Sequence, residues 1–262
     1  MAGALPAVHD TGEGAALLLL HAFPLDASQW DHQVAALSGA YRCLRPDYWG
    51  CGASPPPEGE PGLDTYAAAL VSALDTLGVD RFHVVGASMG GYVALALMRV
   101  APERVMSLAL ANTRATADSE EVRSGRLQLA DTVEREGSVD SIVEPNVQRL
   151  LGEHGRHEVH VTDPMRGRIR RCTPAGVAHC ARAMAARPDS TSLLGDISVP
   201  VLVVAGDGDE VIPRADIEAL ASAVPGAELV SLGCGHLCNL EDPPAFTQEI
   251  RRFLESVPHV AA

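Results

Sequence analysis

Arg81-Phe-His-Val-Val-Gly86-Ala-Ser88-Met-Gly90-Gly91-Tyr-Val-Ala-Leu-Ala-Leu97 is the stretch on which the fold turns. Its first half is a short apolar run with paired valines, which reads as a buried strand over 82–87. Its second half, rich in Ala and Leu and stopped by Pro102, reads as a helix from Met89 to about Val100. Between them lies Gly86-x-Ser88-x-Gly90, a serine on a sharp strand-to-helix turn with small residues two places either side. Such a turn lifts the hydroxyl clear of the sheet. It also leaves it at a helix N-terminus, where free N–H groups stabilise negative charge.

Outward from this unit, strands and helices alternate. Ala15 to His21 is a continuous apolar run, the mark of a strand covered on both faces in a parallel sheet. Asp26 can cap a helix over 27–37, Tyr41 to Arg45 is a shorter strand, and 64–77 is a helix stopped by Gly78. The proline- and glycine-rich 55–62 must be an exposed irregular loop. Val105 to Ala111 is the next strand. Further strands are expected over 200–205 and 227–232, with helices over 214–223 and from about 242 to 255. This is an α/β fold with a doubly wound, mostly parallel sheet. Residues 1–14 leave little room for a leading hairpin.

From 112 to 195 the pattern changes. Apolar residues become sparse and helically spaced, and helices are expected over 118–136, 138–151, 164–171 and 174–186. A structureless loop of that length would be abnormal, so the segment reads as a helical cap inserted into a core formed by 1–111 and 196–262.

The chain has 262 residues, enough for a large core, and a formal net charge of −14, which argues against binding a nucleic acid backbone. No apolar run approaches the ~20 residues that span a membrane, and the N-terminus shows no signal-peptide pattern. The 6 cysteines form no Cys-x-x-Cys pair, so free thiols in a reducing cytoplasm are expected. Cys234, His236 and Cys238 alternate without a further matching cluster, a poor metal pattern. All 20 basic side chains are Arg, which excludes a Schiff-base lysine.

Ligands of open parallel sheets bind at the carboxyl ends of the strands. The loops there carry His21, Ser88, Asp209 and His236. Serine needs a base to take its proton, and a neutral imidazole does so at pH 7. A carboxylate behind the imidazole fixes its tautomer. The order Ser88…Asp209…His236 is that of one hydrolase architecture. Asp207 competes for the carboxylate role, but its place directly after Gly206 suits turn capping better. His21 and Asp47 are expected to hold loops through hydrogen bonds, and the other histidines to be solvated.

The motifs His21-Ala-Phe-Pro-Leu-Asp26, Asp47-x-x-Gly50-x-Gly52-x-Ser54, Gly86-Ala-Ser-Met-Gly-Gly91, Gly206-x-x-Asp209-x-x-x-Pro213 and Gly235-His236 followed by Glu241-Asp-Pro243 together resemble the α/β-hydrolase superfamily. The resemblance is to its small esterase, lactonase and cofactor-free perhydrolase branch. It implies Ser88 as nucleophile, His236 as base and then acid, Asp209 as the orienting carboxylate, and the N–H groups of Phe23 and Met89 as an oxyanion hole. It implies no metal or cofactor, and a small-molecule ester or lactone as substrate. Perhydrolase or haloperoxidase-type chemistry and C–C bond hydrolysis would use the same residues, and a non-catalytic small-molecule sensor is the alternative from another class. Serine at 88 speaks against members with an aspartate nucleophile, and Ala22 stands where many relatives have glycine. The arginines of the insertion (114, 123, 126, 166, 168, 170, 171 and 182) invite a carboxylate-bearing acyl group, although without lysine they must also serve ordinary solvated positions. Acyl identity and oligomeric state are not legible.

Overall fold

The computed structural model describes residues 4–257. Its strands are β1 (Val8–Thr11), β2 (Ala15–Leu20), β3 (Tyr41–Pro46), β4 (Phe82–Ala87), β5 (Val105–Ala111), β6 (Val201–Gly206) and β7 (Glu228–Leu232). They form one sheet in the order β1-β3-β2-β4-β5-β6-β7, with every neighbouring pair parallel except β1 against β3. The continuous apolar runs occupy the middle: Leu17 to Leu20 have no exposed surface, and β4 and β6 are buried along their whole length. The solvated strands β1 and β7 take the two edges. From β2 the chain moves first to β3 on one side, then back past β2 to β4 and onward. The strand order therefore reverses between β2 and β4, and the crevice at their carboxyl ends is where such a sheet receives a ligand. Leu20 pairs with Gly86 in register, which sets the segment after β2 level with the turn after β4.

The helices are α1 (Asp31–Leu37), α2 (Leu63–Thr76), α3 (Met89–Val100), α4 (Glu120–Glu136), α5 (Asp140–Leu150), α6 (Val159–Arg170), α7 (Pro174–Ala185), α8 (Thr191–Leu194), α9 (Arg214–Ala223), α10 (Cys238–Glu241) and α11 (Pro243–Ser256). A 3-10 turn over Ala27–Trp30 precedes α1, and the Asp26 side chain caps it by accepting from the Ser28 N–H. Helices α4 to α7 lie between β5 and β6; α4 packs on α7, and Arg182 ties them by ion pairs to Asp131 and Glu134. Among the described residues, no helix is long and apolar enough to cross a membrane.

Several expectations need correction. The helix expected from Pro164 begins a turn earlier, at Val159, with Pro164 inside it. Proline marks a first turn only by preference. The expectation of free thiols throughout fails at Cys51 and Cys172, which are bonded. The Thr173 N–H donates to the Gly50 carbonyl and the Gly52 N–H to the Arg171 carbonyl. The two segments therefore run antiparallel, with residues 51 and 172 directly opposed and not hydrogen-bonded to each other. That is the closest cross-strand approach, and their Cα atoms are 3.9 Å apart. Cys43, Cys180, Cys234 and Cys238 are free and buried. Lastly, two of the histidines expected to be solvated are buried: His83 bonds to the Ser107 hydroxyl at 2.8 Å, and His179 stands edge-on to Trp49.

Candidate active site

Ser88 joins β4 to α3 with φ 53 and ψ −112, a conformation that side chains rarely adopt and that the surroundings must hold. Its own N–H donates to the Ala111 carbonyl, and its carbonyl accepts from the Gly91 N–H and the Thr113 hydroxyl. The flanking glycines are required by contact. A Cβ on Gly86 would lie 2.4 Å from the Gly90 oxygen, and one on Gly90 would lie 2.1 Å from the Leu20 oxygen. Met89 opens the helix, so its N–H has no intrahelical partner. Phe23, on the segment following β2, lines the same cavity as Ser88. Among the described residues, neither the Phe23 nor the Met89 N–H is engaged by another group of the chain.

His236 follows β7 and is fully buried by its side chain. Its Nδ1 lies 2.8 Å from Asp209 Oδ2. The other carboxylate oxygen, Oδ1, accepts from the N–H groups of Val211 and Ile212 at 2.7 and 3.1 Å. The acceptor-only carboxylate on Nδ1 fixes that nitrogen as the donor. It leaves Nε2 as the basic atom, and Nε2 is buried with no hydrogen-bond partner among the described residues. Asp207 points elsewhere: it is exposed and pairs with Arg214 at 3.1 Å, a surface ion pair in place of the turn cap expected of it.

His21 and Asp47 hold loops. His21 Nδ1 donates to the Ala22 carbonyl, and Nε2 accepts from the Tyr48 N–H. Burial pushes its pKa below the ordinary histidine value, in keeping with that neutral form. The Asp47 carboxylate accepts from the Ala27 and Ala53 N–H groups at 2.7 and 2.8 Å and meets His9 Nε2 at 2.9 Å.

The roles of two residues beside the site escape sequence reasoning, although Glu241 falls within a motif that carries the resemblance. Asn112, directly after β5, has φ 46; its amide donates to the carbonyls of Gly235 and His236 at 2.9 and 2.8 Å and accepts from the Gly206 N–H at 2.7 Å. It thus ties the loops bearing Asp209 and His236 to the end of β5. An asparagine closing a buried strand was the available signal, since asparagine tolerates positive φ. Glu241 accepts from the Gly235 N–H at 3.0 Å and the Gly152 N–H at 2.9 Å, so it couples the turn after α5 to the residue preceding His236. Burial pushes its carboxyl above the usual value, partly offset by those N–H groups.

Ser88 and His236 face a cavity of about 650 Å³. Phe23 and Ile212 line it from the sheet side, and Leu129, Ile142, Arg149 and Met184 from the inserted helices. A groove of about 620 Å³ bordered by α1, α6 and α11 shares none of these residues. Among the described residues no group of three or more His, Cys, Asp or Glu is placed to hold a metal.

Residues 15–243 match the family model described as alpha/beta hydrolase fold, and the chain belongs to that family. Hydrolase chemistry is what membership and the relatives support. The chain is 38% identical to a thermophilic esterase from Thermogutta terrifontis whose structure was solved with malate bound, with a TM-score of 0.92 over 96% of this chain and 93% of that one. It is 30% identical to the enol-lactonase from Burkholderia xenovorans, with a TM-score of 0.88 over 95% and 96% of the two chains. A 3-oxoadipate enol-lactonase from Acinetobacter baylyi is 27% identical over 92% of this chain and 89% of its own length.

Proposed function

We propose that the chain is a serine hydrolase that cleaves a small carboxylic ester or lactone through an acyl-enzyme. The observation that carries the reading is the unpartnered Nε2 of His236, buried and backed by Asp209, in one cavity with the strained Ser88. In this reading His236 Nε2 takes the proton of Ser88 as Oγ attacks the carbonyl carbon. The carbonyl oxygen becomes an oxyanion between the N–H groups of Phe23 and Met89. One such donor contributes ~2.7–4 kcal/mol of transition-state stabilisation. Collapse of the tetrahedral species breaks the ester C–O bond, and His236 returns the proton to the leaving oxygen. A water, deprotonated by the same nitrogen, then releases the acid and restores Ser88. Asp209 holds the imidazole and stabilises its protonated form without itself taking the proton.

Residues 112–195 act in this reading as a cap over Ser88, since Leu129, Ile142 and Met184 form walls that the sheet does not supply. The enol-lactonase and esterase activities named for the relatives fit this chemistry. The test is a panel of short esters and lactones given to wild type and Ser88→Ala. The reading expects turnover of several by wild type and a loss of at least a thousandfold in the variant. A variant as active as wild type would refute it.

A further inference from the structure

The cavity around Ser88 differs in sign from the molecule. The chain as a whole carries −14, yet the charged side chains on the cavity wall are Arg114, Arg126 and Arg149 against Glu121. Two of the arginines have partners. Arg114 is held by Asp118 at 3.0 Å and Asp216 at 3.3 Å, and Arg126 donates to Asp118 at 2.7 Å. Asp118 also receives Arg187 at 2.8 Å, so one buried carboxylate serves three guanidinium groups and neutralises none of them fully. Arg149 has no ion pair or hydrogen bond among the described residues. It projects from the face of α5 that also brings Ile142, Pro145 and Asn146 to the cavity.

Arginine does not lose its proton in a protein, so Arg149, which stands exposed at the cavity wall, stays a cation there. Partial desolvation of the guanidinium and the neighbouring Arg126 both push its pKa down, while Tyr92 and Asp209 push it up. Those opposing causes place the guanidinium within reach of the charges of Arg126 and Asp209. With no carboxylate of its own, its guanidinium leaves its N–H donors open to an anion that enters the cavity.

We infer that the cavity takes a substrate bearing a carboxylate apart from its scissile ester or lactone, with Arg149 as the residue that binds it and Arg126 adding to the field. This rests on the hydrolase reading above. The planar guanidinium matches a carboxylate in two parallel hydrogen bonds, and the apolar walls leave room for the short chain between the carboxylate and the reacting carbonyl.

The experiment compares methyl hydrogen adipate with methyl hexanoate by pH-stat, using wild type, Arg149→Met and Arg149→Lys. Wild type should favour the half-ester in kcat/KM by on the order of 10- to 100-fold. That preference should fall to near unity in Arg149→Met and return in part in Arg149→Lys. Circular dichroism would establish that each variant is folded. A neutral preference in wild type, or an undiminished one in Arg149→Met, overturns the inference. Calorimetry on Ser88→Ala separates it from the hydrolase reading. If no ester is turned over, methyl hydrogen adipate should still bind at least tenfold tighter to Ser88→Ala than to the Ser88→Ala, Arg149→Met double variant. Equal binding overturns the carboxylate site whatever the fate of the hydrolase reading.

Discussion

The side-chain amide of Asn112 donates to the main-chain carbonyl of His236 at 2.8 Å, across 124 positions of sequence. With its bonds to Gly235 and Gly206, it fixes two loops against the end of β5. Asn112→Gly would keep the positive φ and delete every one of these bonds. It is expected to destabilise the fold by ~2–4 kcal/mol, since buried backbone groups are left unpaired. Esterase kcat should fall more than KM changes, because the loss is in the placement of His236 and not in the pocket. Urea denaturation and steady-state kinetics check both parts; a variant with wild-type midpoint and kcat would show that Asn112 positions nothing.

Asp209 and Asp207 are separated by a single glycine, yet only Asp209 reaches His236. Asp209→Asn should lower kcat by about ten-thousandfold, through loss of the correct tautomer. Asp207→Asn removes an exposed pair with Arg214 and should change stability by less than ~1 kcal/mol and leave the rate alone. Comparable catalytic losses in two folded variants would contradict the assignment.

What could be read from the chain in advance followed from locality. Ser88, Asp209 and His236 sit in short motifs whose glycines and strand ends are visible in a few residues of sequence. The parallel sheet was equally visible, because Leu17–Leu20, β4 and β6 are apolar without alternation. Asn112, Glu241, Arg149 and the Cys51–Cys172 bond were hidden because each role depends on a distant partner, or on the lack of one. Cys51 and Cys172 lie 121 residues apart, and no spacing rule links cysteines over that range. Arg149 looks like any other arginine of the inserted helices until its neighbours prove to be paired and it does not. The short β1 was missed for a different reason: four mostly exposed residues at a sheet edge carry no hydrophobic pattern.

Asp118 gives the pH dependence a sign. Desolvation pushes its carboxyl up, but Arg126 and Arg187 outweigh that and leave it below the ordinary value of 3.8. A carboxyl depressed by folding contributes stability that is complete above its unfolded pKa and is lost as pH falls through the folded one. Asp118→Asn should therefore cost ~3–5 kcal/mol at pH 7, because it strands buried guanidinium groups. The gap from wild type should hold steady from pH 8 to 5 and begin to close only below about pH 4. Thermal melts across that range measure it, and a gap that closed between pH 7 and 5 would assign the stabilisation to some other group.

The Cys51–Cys172 bond predicts a thiol count. The unreduced protein in denaturant should titrate as four thiols, from Cys43, Cys180, Cys234 and Cys238, and the reduced protein as six. The bond closes a loop that ties the segment after β3 to the segment between α6 and α7. Reduction should thus lower stability by ~2–4 kcal/mol. Six thiols before reduction would show that the pair is not bonded in solution.

The central claim is that Ser88 is a nucleophile activated by His236, and a covalent label tests it most directly. Intact-mass spectrometry after a fluorophosphonate should show a single phosphonyl adduct on wild type, mapped by proteolysis to the peptide containing Ser88. The label should be absent from Ser88→Ala and strongly slowed in His236→Ala. An unmodified wild-type protein, or an adduct on any other residue, would contradict the account.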